Sequence, residues 1–305
     1  MSMQAEDSGG HVLPSGHPAA TLVAEIVARA LEEDRAGFDV TTQSTVPVDQ
    51  PGEATLLYKE AGVVCGIAVV REVFRQMSAA IEMDVIVGEG AWVEPGTAIA
   101  ELRGPLAPML SGERVALNLL QRMSGTATMA HRYVREAARG GTARVVDTRK
   151  TTPGLRALER YAVRTGGAFN HRNTLEDGVL IKDNHIAAAT RRGVSPGELI
   201  AEVRARVPHT LRIEVEADTP HLARAAAAGG ADVVLLDNMP PDMMQAIVAE
   251  ARANPRTAGV LFEASGGVRI ETIAAIAGTG VDLISVGALT HSAPALDISL
   301  DVRPA

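Results

Sequence analysis

The stretch DTRKTTPGLR, residues 147–156, lies in a local excess of positive charge. From Arg144 to Arg172 there are seven basic residues (Arg144, Arg149, Lys150, Arg156, Arg160, Arg164, Arg172) and two acids (Asp147, Glu159). Over the whole chain, 37 Asp+Glu outnumber 29 Lys+Arg. Guanidinium forks bind carboxylates and phosphates through paired N–H bonds. A cationic patch inside an acidic protein focuses a small anion rather than a polymer. Arg149 and Lys150 follow the strand-like run ARVVDT, Arg172 follows His171 in FNHRN, Lys182 ends GVLIK, and Arg114 opens a long helical run. Arg156, Arg160 and Arg164, at i, i+4 and i+8, read as one solvated helix face. A strand-end lysine such as Lys182 can also form a Schiff base, and spacing does not separate that role from anion binding.

Acids and glycines complete the set. Glu214 and Glu216 share one side of a strand, Asp218 follows two residues on, and Asp237 ends ADVVLLD. Such carboxylates can hold Mg²⁺ or sugar hydroxyls, or pair with an inward cation. Ser265-Gly266-Gly267 and Gly287 lie in turns after consecutive strand-like runs, where backbone N–H groups can approach a phosphate. His171, His185 and His291 are candidate donors or acid–base groups. Their spacing and the single cysteine, Cys65, suggest no zinc site.

These residues need a scaffold that brings strand ends together. After Gly141, six strand-like runs (ARVVDT, GVLIKDN, LRIEVEA, ADVVLLDN, GVLFEAS, VDLISVG) alternate with helical runs. That rhythm implies parallel strands joined by crossover helices. Polar residues at the carboxyl end of every strand favour an α/β barrel, whose mouth collects them, over an open sheet. Before Gly141, residues 19–35 and 112–139 read as helical, the latter with a weak point near Ser124–Gly125. Residues 37–48 read as turn-rich, and 53–104 as mainly β with the helical piece REVFRQMSA. The expected division is a flexible tail over 1–17, an α+β sandwich-like domain over 18–125 joined by a tail at 290–305, and the barrel over 126–289.

Composition narrows the function class. A net charge of −8 argues against a general nucleic-acid binder, and 3% aromatic residues argue against a base-stacking platform. One cysteine fits a reducing cytoplasm, and no long uncharged apolar run suggests a membrane span. The residues alone thus point to a small polyanion carrying at least one phosphate.

The motifs FDVTT, GERVALNLLQRMSG, DTRKTTPGLR, GGAFNHRNTLEDGVLIKDNHI, IEVEAD, LLDNM, EASGG and VGALTHSAPALDISLDV, in this order, closely resemble quinolinate phosphoribosyltransferase over about residues 20–303. The resemblance implies an incomplete α/β barrel of six to seven strands and a cytoplasmic enzyme that is at least a homodimer. The reaction would join quinolinate to 5-phosphoribosyl 1-diphosphate with Mg²⁺, releasing diphosphate and CO₂ and forming nicotinate mononucleotide for NAD biosynthesis. It places Arg149, His171, Arg172 and Lys182 around quinolinate, with Arg114 supplied by the partner subunit, and counts Thr148 among the substrate-binding residues. It places Lys150 near the phosphoribosyl diphosphate, Glu216 and Asp237 at its ribose and Mg²⁺, and Ser265, Gly266, Gly267, Gly287 and Ala288 at the 5-phosphate. Lys150, Lys182, Glu216 and Asp237 would carry the catalysis. A related enzyme with another heterocyclic acceptor is the alternative.

Overall fold

The computed structural model describes residues 18–305, so the tail expected over 1–17 lies outside the described residues. The chain divides into two compact units. One comprises the residues up to Thr128 with Ala157–Gly166 and Pro294–Ala305; the other comprises Met129–Arg156 and Gly167–Ala293.

The first unit begins with α1 (Ala20–Glu33) and a single 3₁₀ turn over Ala36–Phe38. Next comes α2 (Val40–Thr45). Its segment was expected to be turn-rich, but Asp39 accepts the Thr41 and Thr42 amides and caps a helix there. β1 (Pro51–Tyr58) alternates, burying Gly52, Ala54, Leu56 and Tyr58. After it come β2 (Gly62–Val63), α3 (Ile67–Met77), β3 (Glu82–Val85), β4 (Trp92–Val93) and β5 (Thr97–Pro105). α3 starts where the Glu89 carboxylate accepts the Gly66 and Ile67 amides, at 2.9 and 2.7 Å. β2 and β4 pair as a ribbon. The main sheet has the order β12-β1-β5-β3, in which β12 (Ile298–Pro304) comes from the far end of the sequence.

α4 (Leu106–Ala137) is one unbroken helix. The weak point expected at Ser124–Gly125 is instead a packing device. A Cβ on Gly125 would lie 1.9 Å from the Pro294 carbonyl oxygen, so glycine allows a close backbone approach. Ser124 meets the buried Tyr58 hydroxyl at 2.7 Å and donates to the Cys65 carbonyl.

The second unit carries β6 (Arg144–Val146), and after α5 (Arg156–Thr165) the alternation runs on. β7 (Val179–Ile181), α6 (Asp183–Thr190), α7 (Pro196–Arg204), β8 (Ile213–Ala217), α8 (Pro220–Ala228), β9 (Val233–Asp237), α9 (Pro241–Ala253), β10 (Leu261–Ser265), α10 (Ile273–Ala277), β11 (Leu283–Ser285) and α11 (Ala288–His291) follow. All six strands expected from the sequence form one parallel sheet, in the order β6-β11-β10-β9-β8-β7. The first strand pairs with the last and no switch point intervenes, which is the connectivity of a barrel. Phe169 adds a parallel bridge to Val146, a fragment of a seventh strand beside β6.

α5 departs from expectation. Its middle belongs to the first unit, and Arg160 is buried there rather than lying on a solvated face. Within that unit the buried Glu159 accepts from Arg122 at 2.7 Å.

The pairing register sorts the second unit's strand residues into two faces. Val145, Ile181, Val215, Val234, Leu236, Phe262, Ala264 and Ile284 are buried on the apolar face, as α8 buries Ala223, Ala226 and Ala227. The alternate residues carry the polar groups: Arg144, Glu214, Glu216, Asp237, Glu263, Ser265 and Ser285. Parallel strands whose inner face carries so much charge are built to hold something charged.

Candidate active site

The carboxyl ends of the six strands bring together most of the expected residues. After β6, Thr148 Oγ1 accepts the Lys150 amide at 3.1 Å, and Thr290 donates to the Lys150 carbonyl at 2.8 Å. Those bonds fix the backbone under both cations. The Lys150 side chain runs beside Gly287, where an added Cβ would lie 3.3 Å from its Cδ and 3.0 Å from His291 Nε2.

The cations have distinct environments. Arg149 is half-buried, and its Nε meets no acceptor among the described residues. Arg172 donates to the Gly178 carbonyl at 3.0 Å. Burial and the positive charge of Arg149 hold the Arg172 pKa below the ordinary arginine value. An anion between the two guanidinium groups would turn their repulsion into attraction. Lys182 Nζ lies 2.6 Å from Glu216 Oε2, with the ammonium side chain about half in solvent. Arg114 lies exposed on the first unit, in a concavity of about 360 Å³ shared with Phe38, Asp39 and Val40.

Asp237 accepts from Asn238 Nδ2 at 2.8 Å, and the Asn238 amide donates to the Ser265 carbonyl. Asn238 and the following glycines have left-handed backbones, with φ of 53° at Asn238, 88° at Gly266 and 59° at Gly267. A Cβ on Gly266 would fall 2.3 Å from Asn238 Oδ1, so only glycine fits. This turn leaves consecutive amides able to face an anion. Gly287 and Ala288 follow β11, with Gly287 in an ordinary right-handed conformation at φ −64°.

A cluster that the sequence reading did not assemble lies deeper on the inner face. His171 Nε2 is 3.1 Å from Glu214 and 3.5 Å from Glu263. The three offer ligand atoms within 4.8 Å of one another. Glu263 is 1% exposed, and the contact from His171 Nε2 at 3.5 Å is at the long limit of a hydrogen bond. Burial opposes a charge on His171, while the hydrogen bonds and charges of Glu214 and Glu263 draw a proton into the cluster. Burial lifts the Glu214 pKa, against the opposing hydrogen bond from His171. The signal for Glu263 was the alternation in LFEAS, which puts it on the same face as Ser265.

The chemistry available is therefore anion capture by Arg149, Arg172 and Lys182, hydroxyl or hard-cation binding by Glu216 and Asp237, and phosphate binding by glycine-rich turns. No helix among the described residues is long and apolar enough to cross a membrane.

The chain is similar to known proteins over most of its length. The chain is 45% identical over 270 residues to a probable nicotinate-nucleotide pyrophosphorylase (carboxylating) of Bacillus subtilis, covering 88% of this chain and 90% of that protein. It is 40% identical over 285 residues to the human nicotinate-nucleotide pyrophosphorylase (carboxylating), covering 93% and 92%. The solved nicotinate-nucleotide pyrophosphorylase of Francisella tularensis superposes with a TM-score of 0.86 at 34% identity, covering 94% of this chain and 98% of that one. Residues 39–124 match the N-terminal domain, and residues 126–301 the C-terminal domain, of quinolinate phosphoribosyl transferase. The chain belongs to the quinolinate phosphoribosyl transferase family.

Proposed function

We propose that this enzyme transfers the phosphoribosyl group of 5-phosphoribosyl 1-diphosphate to quinolinate, with loss of CO₂, to give nicotinate mononucleotide. The observation that carries the reading is the cationic group Arg149, Arg172 and Lys182 set beside Glu216 and Asp237 on converging strand ends. Quinolinate has two adjacent carboxylates that repel each other, so its pocket needs several cations. Arg149, whose buried Nε has no partner among the described residues, and Arg172 answer that need.

Glu216 and Asp237 are hard oxygen donors at one rim, a set that suits Mg²⁺ and ribose hydroxyls. Bound there with the diphosphate, Mg²⁺ would neutralise charge on the leaving group. Lys150 is held beside Gly287 and reaches the same phosphates. As diphosphate departs, positive charge develops at ribose C1, where Glu216 and Asp237 stabilise it. The pyridine nitrogen then bonds to C1. The resulting pyridinium accepts the electron pair freed when the 2-carboxylate leaves as CO₂, and that carbon takes a proton. Holding the two reactants in register supplies much of the acceleration. Lys182 acts as a carboxylate ligand, and no imine is needed.

The assembly is a homodimer or larger, in which Arg114 of a second copy reaches the quinolinate carboxylates. Phe38, Val40 and Val48 are exposed on the same unit at 63, 74 and 89%, an apolar surface suited to a partner. The enzyme acts in the cytoplasm.

The test is product analysis with phosphoribosyl diphosphate and Mg²⁺, comparing carboxyl-labelled quinolinate with nicotinate. Labelled CO₂ and nicotinate mononucleotide from quinolinate, with little product from nicotinate, are expected. Turnover of nicotinate alone would overturn the reading.

A further inference from the structure

Two histidines of the second unit hold the backbone of the cation beside them. The Arg172 amide donates to His171 Nδ1 at 2.8 Å. The Lys182 amide donates to His185 Nδ1 at 2.9 Å. We infer that His171 and His185 are neutral braces, positioning residues whose unprotonated Nδ1 sets the direction from which Arg172 and Lys182 approach the substrate carboxylates.

The argument rests on where protons can sit. A ring nitrogen that accepts an amide N–H cannot carry a proton of its own. His171 therefore has its proton on Nε2, where Glu214 stands at 3.1 Å and Glu263 at 3.5 Å. Both nitrogens are then occupied within the protein, and the ring has no free atom to offer a substrate. The same bond excludes a metal at the His171–Glu214–Glu263 cluster. A neutral imidazole that ligates through Nε2 must carry its proton on Nδ1, the atom already accepting from Arg172.

The other charged groups lining the same cavity of about 360 Å³ are Arg144, Arg172, Asp177 and Arg212. Glu214 and Glu263 thus lock the ring, the ring locks the Arg172 amide, and the guanidinium follows.

The inference about substrate positioning rests on the quinolinate reading, so the test has two arms. In the first, nitrogen-15 NMR of histidine-labelled full-length protein reads the tautomers whatever the substrate is. His171 and His185 are expected to show a bare Nδ1 and a protonated Nε2 at mildly alkaline pH. A protonated Nδ1 at either position would overturn the proposal. In the second, asparagine and glutamine separate the two ring nitrogens. His171→Asn keeps an acceptor near the Nδ1 position, and His171→Gln keeps a group near Nε2 only.

His171→Phe should raise the KM for quinolinate by about 2- to 10-fold, the worth of one neutral hydrogen bond. The KM for phosphoribosyl diphosphate should stay close to wild type. His171→Asn should recover most of the loss and His171→Gln little; His185→Asn and His185→Phe should behave alike for Lys182. Equal losses for Asn and Gln would mean that His171 touches the substrate itself. A wild type inactive on quinolinate would fail the catalytic reading while the tautomers still decide the brace.

Discussion

Replacing Lys182 with methionine separates the cost of losing an ion pair from the cost of losing a ligand. Lys182 Nζ lies 2.6 Å from Glu216 Oε2, but its side chain is 49% exposed and that of Glu216 is 17% exposed. An ion pair half in water contributes at most about 1 kcal/mol. For a unit of this size that corresponds to roughly 2–4 °C in Tm. Against a carboxylate of the substrate, the same ammonium makes a charge-assisted hydrogen bond worth about 1.5–3 kcal/mol. Its loss weakens binding by about 10- to 150-fold. The uncompensated Glu216 would then face a dianion, which pushes the result toward the upper end. Calorimetric titration with quinolinate and a thermal melt in the same buffer measure the two quantities. The reasoning is refuted by a Kd change below about threefold, the range of an ordinary surface ion pair. It is refuted equally by a melt that collapses while the surviving folded protein binds normally. Borohydride treatment with substrate should trap no adduct on wild type, and a trapped adduct would restore the Schiff-base role for Lys182.

Three further outcomes are expected. Arg122→Met takes the guanidinium from Glu159, which is 1% exposed, and should cost about 3–5 kcal/mol, with the Arg122→Met, Glu159→Leu double variant recovering most of it in denaturant melts. Gly266→Ala forces a Cβ to within 2.3 Å of Asn238 Oδ1 at a φ of 88°, so the KM for phosphoribosyl diphosphate should rise while that for quinolinate does not, with a stability cost of about 1–2 kcal/mol. The Asp39 carboxylate is held below its ordinary 3.8 chiefly by the Thr42 hydroxyl, then by the Thr42 amide. Its folded pKa is depressed, so its contribution is present above the unfolded value and lost as pH falls through the folded one. Asp39→Ala should therefore lower stability by about 1 kcal/mol at neutral pH, and the gap should close in strong acid.

The strands of the second unit were legible because their runs are short, β-branched and followed by polar residues. ADVVLLDN and GVLFEAS gave β9 and β10 with little ambiguity. The mouth residues followed, since a barrel fixes where strand ends meet. What sequence could not give was tertiary. Gly125 signals a break by propensity, but its reason is the Pro294 carbonyl, far away in sequence. Arg160 looked solvated by helical spacing, yet α5 buries every residue from Leu158 to Val163. The helix at Val40–Thr45 hid behind β-branched residues, and its signal was the capping Asp39. Glu263 was on the correct face by alternation, but its meeting with His171 depends on the shear of the whole sheet.

The place of β12 has a consequence for how the chain reaches its fold. This strand, Ile298–Pro304, pairs antiparallel with β1 in the register Leu56↔Leu300 and flanks it opposite β5. During synthesis β1 and β5 emerge early and can pair, while the other edge of β1 stays open until Ile298–Pro304 has been made. Every residue of the second unit is translated in that interval. The second unit's sheet, whose strands follow one another closely in sequence, can close first, and the first unit waits for its last strand. Contacts of such long sequence separation fold slowly. An open edge rich in Leu56, Leu57 and Tyr58 is meanwhile exposed to pairing with another nascent chain. The arrival of Ile298–Pro304, rather than closure of the second unit's sheet, thus becomes the step that commits the first unit to its native sheet.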